Sequence, residues 1–123
     1  KDLDELTSLI ELRPIADNTT PTYPLGQNSI DILLINTLIP YKHAYALRRH
    51  KENDAQHAIE LMELIKAEDN TIIRQWRTLG QQVNTAADSQ ALIHLYQHYC
   101  QHHECINCEV GYKVFEEKQL KLF

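Results

Sequence analysis

Within the ten residues from Ile30 to Ile39 this chain places Ile30, Ile32-Leu33-Leu34-Ile35 and Leu38-Ile39, broken only by Asp31 and Asn36-Thr37. At 100° per residue these side chains cover almost the whole circumference of a helix. A helix that is apolar all round has to lie inside its fold. The β-branched run also suits a buried strand, but its length and its continuation to Arg49 favour a helix bent at Pro40. Ser29 offers an N-cap oxygen at its start. Asp31, expected in the first turn, reads either as a catalytic acid or as a charge facing the positive end of the helix dipole, and the second reading is preferred.

The rest of the pattern is helical too. Leu3, Leu6, Leu9 and Ile10 recur at helical spacing before Arg13-Pro14, where the proline disfavours helix in its predecessor. From Ile15 to Asn28 the Asp-Asn-Thr-Thr run, two more prolines and Gly26 read as an extended loop. Asn53 or Asp54 is positioned to cap a further helix with Ala55, Ala58, Ile59, Leu61, Met62 and Ile65 on one arc. Glu68-Asp69-Asn70 then ends it and caps the next, whose inward stripe is Ile72, Ile73, Trp76 and Leu79 before a Gly80 stop. On that stripe Trp76 reads as core rather than as a ligand-stacking ring. Asp88 is expected to cap a last helix carrying Ala91, Leu92, Leu95, Tyr96 and Tyr99 and ending near His103. Past Gly111 the chain reads as a charged tail with Phe115, Leu120, Leu122 and Phe123 as anchors.

With 123 residues, one domain is the prior, and only three glycines argue against a loop-rich or all-β design. The expectation is an all-α bundle of about five helices around the helix from Ser29, with a short Cys-containing turn at its end. It divides into an N-terminal helix and loop (1–28), a helical core (29–111) and a tail (112–123). A net charge of −5 makes an extended phosphate-binding surface, and so nucleic acid as a partner, unlikely. The one basic cluster, Lys42-His43 with Arg48-Arg49-His50-Lys51, reads as a solvated helix end before it reads as a local anion patch. No run of eighteen apolar residues is present to span a membrane. Three cysteines without a secretory leader point to a reducing compartment, hence the cytoplasm. Lys1 is not a translation start and Met62 is the only methionine, so a fragment or processed chain is expected, with an upstream domain as its natural partner.

Several motifs occur in a recognisable order: Gly26-Gln-Asn-Ser29-Ile30-Asp31, Ile35-Asn36-Thr37 with Pro40, Trp76 with Leu79-Gly80, and Ala87-Asp88-Ser89-Gln90-Ala91-Leu92. The last is Tyr99-Cys100-x4-Cys105-x2-Cys108-x-Val-Gly111. Together they resemble the C-terminal region of the bacterial domain-of-unknown-function 2851 family, over roughly residues 20 to 111. The resemblance implies the C-terminal domain of a larger bacterial intracellular protein and carries no activity over to this chain. Between the first two cysteines, where the family suggests basic residues, this chain has Gln101-His102-His103-Glu104.

The cysteines are the one cluster with chemical potential. Cys105-x2-Cys108 has the spacing of a zinc knuckle, Cys100 adds a third sulfur, and a fourth ligand is needed for tetrahedral zinc. On a regular helix His103 lies about 60° from Cys100 and His98 about 160°, so the candidate metal set is Cys100, Cys105, Cys108 and His103. His94, His98 and His102 form an i, i+4, i+8 row that reads as a solvated polar edge before a second, adventitious metal site. The triplet also bears a distant likeness to the iron–sulfur loop of helix-hairpin-helix DNA glycosylases, which has a longer first gap and a fourth cysteine. Against metal stand thiols that simply pack and a disulfide joining Cys100 to Cys105 or Cys108. A cysteine nucleophile requires a base oriented by a third group, and no such group is evident. The favoured function is a helical structural or interaction module of a larger protein. The alternative is a zinc or iron–sulfur knuckle domain of a nucleic-acid-processing or hydrolytic enzyme.

Overall fold

A computed structural model describes residues 2–10 and 25–120, and over these the chain is all-α. Most of the loop expected at Ile15–Asn28 and the anchors Leu122 and Phe123 lie outside the described residues, as do the side chains of Leu9, Ile10 and Leu120. The elements are α1 (Asp2–Ile10), α2 (Gln27–Leu33), a π-helical segment (Leu34–Leu38), α3 (Ile39–Arg48), α4 (Glu52–Glu63), α5 (Thr71–Thr78), α6 (Ala86–His98) and α7 (Glu109–Leu120). The chain forms two compact units, one running to Glu68 and including Asn84–Ala87, the other comprising Asp69–Val83 and Asp88 onward.

In the first unit α2, the π segment and α3 join into a single rod, as the apolar run requires. The π turn sits immediately before Pro40, which has no N–H to donate and whose ring crowds the carbonyl four residues back. Widening the turn to i→i+5 bonding removes that conflict. The Ile39 N–H accordingly reaches the Leu34 carbonyl, and the Asn36 side-chain amide donates to the Ile32 carbonyl at 3.0 Å. The rod starts at Gln27, earlier than the Ser29 cap implied. Gly26 is the N-cap residue, without a side-chain cap, and its carbonyl accepts from both Ser29 and Ile30. Asp31 therefore lies beyond the first turn, where the dipole has faded, and takes a 2.7 Å hydrogen bond from the Gln27 amide.

Ile30, Leu34, Ile35 and Ile39 of the rod pack with Ala58, Leu61 and Ile65 and with Ala86 as one buried cluster, and Leu3, Leu6, Leu38 and Met62 close against it. α4 begins at Glu52, so Asn53 and Asp54 fall within its first turn rather than capping it, with Glu52 and Asp54 at the positive end of its dipole. It stops at Glu63, short of Glu68. Ile65 and Ala67 are buried from a non-helical segment instead, held by Ala67 N–H to the Asn84 carbonyl (3.0 Å) and Ala86 N–H to the Ile65 carbonyl (2.8 Å). This isolated antiparallel bridge places Ala86 in the core.

α3 ends on a left-handed residue. The Lys51 N–H bonds the Ala46 carbonyl, the His50 N–H bonds the Leu47 carbonyl, and His50 between them has φ of 56°. That geometry normally belongs to glycine, since a Cβ costs roughly 1–2 kcal/mol in it. Replacing the exposed His50 by glycine removes this strain and restores about 0.4–1 kcal/mol of unfolded-chain entropy. We expect His50→Gly to be stabilising by about 0.5 kcal/mol, seen as a small rise in urea midpoint; a lowered midpoint contradicts the strained cap.

In the second unit α5 is capped as its sequence suggests, the Asn70 Oδ1 accepting the Ile73 N–H at 3.0 Å. Arg74 forks onto Asp69 at 3.0 and 3.3 Å, which raises the already high pKa of the guanidinium, and the Arg77 guanidinium donates to the Val83 carbonyl at 3.1 Å. Gly80 has φ of 90° and closes α5 with the same pair of bonds seen at His50, from Gly80 to Arg77 and from Gln81 to Trp76. Two members of the expected inward stripe differ. Trp76 is only half-buried, and Leu79 is almost fully exposed because α5 ends at Thr78, leaving Leu79 in the cap turn.

α6 starts at Ala86, so Asp88 sits in its first turn instead of preceding it, and it ends at His98 rather than near His103. The charged segment after Gly111 is helical: it belongs to α7, a sixth rod among the described residues. Its mixed sequence has no long apolar stripe, and its exposed faces include Val110, Tyr112, Val114 and Phe115. Periodicity detects a helix through the face it buries, so a helix that buries almost nothing escapes it.

Candidate functional site

The cysteine segment is built from two consecutive chain reversals. After α6 the residues Cys100–His102 form one 3₁₀ turn, and His103 follows with φ of 57°. The Glu104 N–H bonds the Tyr99 carbonyl at 3.0 Å and the His103 N–H bonds the Cys100 carbonyl at 3.2 Å, repeating the stop used at His50 and Gly80. A tight turn follows, Asn107 N–H to the Glu104 carbonyl at 3.1 Å. Tyr112 N–H to the Cys108 carbonyl at 2.8 Å then opens α7.

Gly111 explains why this second reversal is possible. A Cβ placed on it would collide with the carbonyl oxygen of Cys105 and lie 3.0 Å from its carbonyl carbon and 3.2 Å from its Cα. The backbone at Cys105 thus rests directly on the first turn of α7, and only glycine leaves room for it. The spacing Cys105-x2-Cys108-x2-Gly111 has a mechanical reason: the residue six after Cys105 returns beneath it.

All three cysteines are free thiols, but they sit in different surroundings: Cys108 is buried, Cys100 is half-buried and Cys105 is exposed. Burial pushes the Cys100 thiol up from its ordinary pKa, and the neighbouring Cys108 and Cys105 add to the shift in that order, because a thiolate is disfavoured near other thiolates. The three sulfurs are therefore electrostatic neighbours. His103 does not join them as expected. The angular argument for it assumed a regular helix through residue 103, whereas the helix ends at His98 and His103 is an exposed left-handed cap residue. Among the described residues no group of three or more His, Cys, Asp or Glu side chains is arranged to hold a metal ion. In the histidine row, His94 and His98 stack at 4.0 Å between ring centroids and His98 Nδ1 meets the His94 carbonyl at 3.0 Å, while His102 falls beyond the helix end.

A second feature was not singled out from sequence. On the α2–α3 rod Ile32, Leu33, Tyr41, Tyr45 and Leu47 are exposed, Tyr41 by 67%, with Tyr45 and Leu47 flanking the buried Ala46. No exposed position from Ile32 to Arg49 is acidic. Tyr41 and Tyr45 stack with centroids 6.1 Å apart, the Arg49 guanidinium lies 5.5 Å over the Tyr45 ring, and its Nη1 donates to the Tyr45 hydroxyl at 2.6 Å. The signal available was the i, i+4 spacing of Tyr41, Tyr45 and Arg49. The basic cluster ends in this ladder and in an exposed Lys51–Asp54 pair at 3.7 Å.

These elements define an all-α helical module, with a solvent-facing apolar rod and a cysteine turn in separate units. Residues 15–71, just under half of the chain, match the model of the family described as Protein of unknown function (DUF2851), so the family resemblance read from the motifs holds over that stretch. The match takes in the apolar rod and α4, and it ends before Trp76 and the cysteines. No curated protein and no solved structure matches the chain. Among the described residues no helix is long and apolar enough to cross a membrane.

Proposed function

We propose that this chain is a helical interaction module at the C-terminus of a larger bacterial, cytoplasmic protein, docking through the exposed residues of the α2–α3 rod onto an upstream domain of the same polypeptide. The observation that supports this reading is the exposed Tyr41–Tyr45 stack, with Ile32 and Leu33 also exposed earlier on a rod that elsewhere contributes Ile30, Leu34, Ile35 and Ile39 to the buried core. A patch of that kind marks a protein contact more often than a solvated surface. Tyrosine suits such a place because it offers a large rigid ring and a polar tip at low entropic cost. Among the described residues no ligand set is arranged to support the metal-knuckle reading.

Tyrosine nitration by tetranitromethane, mapped by mass spectrometry, tests the proposal. Tyr41 and Tyr45 react readily in the chain alone and are expected to be protected at least tenfold in the larger polypeptide. A Tyr41→Glu substitution should restore their neighbours' reactivity there by opening the contact. Equal reactivity of Tyr41 and Tyr45 in both contexts contradicts the docking role.

A further inference from the structure

The second unit contains a chemical asymmetry that the docking role does not use. Cys105 and Cys108 are three residues apart in folded-back backbone, one exposed and the other buried at the residue that opens α7. Cys108 and Gly111 are also three apart, so they share one side of that first helical turn. Because the Cys105 backbone lies on Gly111, it lies over the same side as Cys108. A disulfide requires Cα atoms about 4.4–6.8 Å apart with Cβ atoms facing, and the Glu104–Asn107 turn folds the chain back between Cys105 and Cys108. Cys108 also lines an open depression with Ile106, Asn107, Glu109, Tyr112 and Lys113, so the turn is open to small molecules on the side of the buried thiol.

We propose that Cys105 and Cys108 form a dithiol–disulfide couple that exchanges with low-molecular-weight disulfides of the glutathione class, Cys105 being the entering thiol and Cys108 the resolving one. Cys105, having released its proton to solvent, attacks one sulfur of the small disulfide. This forms a mixed disulfide and expels one small thiolate, which takes up a proton. Cys108 then loses its proton and attacks the Cys105 sulfur, expelling the second small thiolate. Two protein thiols are oxidised, one small disulfide is reduced to two small thiols, and the reverse sequence reduces the protein. Exposure decides the order: the solvent-facing sulfur meets the reagent first, and the more buried one attacks the mixed disulfide held beside it. Cys100, half-buried on the preceding turn, is the competing partner that peptide mapping distinguishes.

The test is to incubate the whole chain with oxidised glutathione, block remaining thiols with an alkylating agent, and measure intact mass and peptides. Free thiols should fall from three to one with no glutathionyl group retained. Cleavage after Glu104 and Glu109 should place the bond inside the peptide from Cys105 to Glu109, and dithiothreitol should restore all three thiols. Cys100→Ser should leave the reaction unchanged, and Cys108→Ser should trap one glutathionyl group on Cys105. Mapping the unsubstituted chain decides the matter even if that variant folds poorly. A bond that includes Cys100, or glutathionyl adducts without any internal bond, overturns the proposal.

Discussion

Replacing Leu34 by alanine is expected to cost about 3–4 kcal/mol of stability, while the same change at the adjacent Leu33 costs less than about 1 kcal/mol. Leu34 is 1% exposed and belongs to the buried cluster with Ile30, Ile35, Leu61 and Ile65. Truncation forfeits the transfer free energy of the lost methyl and methylene groups and leaves a cavity that the rigid rod cannot collapse around, since Ile35 and Ile39 are already committed to the same core. Leu33 is 40% exposed and loses only partial burial. Against a typical total of about 5–15 kcal/mol, the Leu34 effect is large. Urea denaturation followed by far-UV circular dichroism measures it, read as a lower midpoint at unchanged slope. Equal losses at Leu33 and Leu34 contradict the inside and outside assigned to the rod.

Gly111→Ala should cost about 1–3 kcal/mol, opposite in sign to what a helical position normally gives. Within an exposed helix, exchanging glycine for alanine gains roughly 0.5–1 kcal/mol, because alanine loses less backbone freedom. Here the new methyl group meets the carbonyl of Cys105, a backbone group that cannot swing aside like the end of a flexible side chain. Either α7 or the Cys105 turn has to move, and both hold Cys108 in its buried position. The accompanying expectation is that the Cys108 thiol reacts with a disulfide reagent at least tenfold faster in Gly111→Ala than in the parent chain. A stabilised variant with Cys108 still protected contradicts the close approach.

How much of this was legible in the sequence differs from element to element. The rod was evident because seven apolar residues in ten allow no other placement, yet that same abundance hid its inner side: when every side is apolar, periodicity has no phase. The cap at Asn70 and the stop at Gly80 were legible because each rests on a local property, a side-chain oxygen that reaches a nearby N–H and a residue that tolerates positive φ. The stops at His50 and His103 were not, since histidine carries no comparable preference for the left-handed region. The angular argument for His103 as a metal ligand fails for that reason: it ran along a helix that had already ended.

The cysteine segment shows the same division. Spacing alone marked Cys100, Cys105 and Cys108 as a cluster, and Cys108 and Cys105 both act on the Cys100 thiol. Spacing did not reveal that Cys108 opens a helix, that Cys105 faces solvent, or that Gly111 lies beneath it. Those facts depend on how residues six apart return into contact after two reversals.

By itself the sequence determined the all-α class, the helical rod, the local caps at Asn70 and Gly80, and the family resemblance, because each follows from composition or from interactions within a few residues; that the rod lies fully inside the fold was not so, since Ile32 and Leu33 face solvent. Tertiary structure alone decided which side of the rod meets the core, where α6 stops, that the charged segment after Gly111 is helical, and how the three thiols are shared between solvent and interior. Burial and close backbone approach arise between residues distant along the chain or folded back on one another, and neither periodicity nor propensity carries that information.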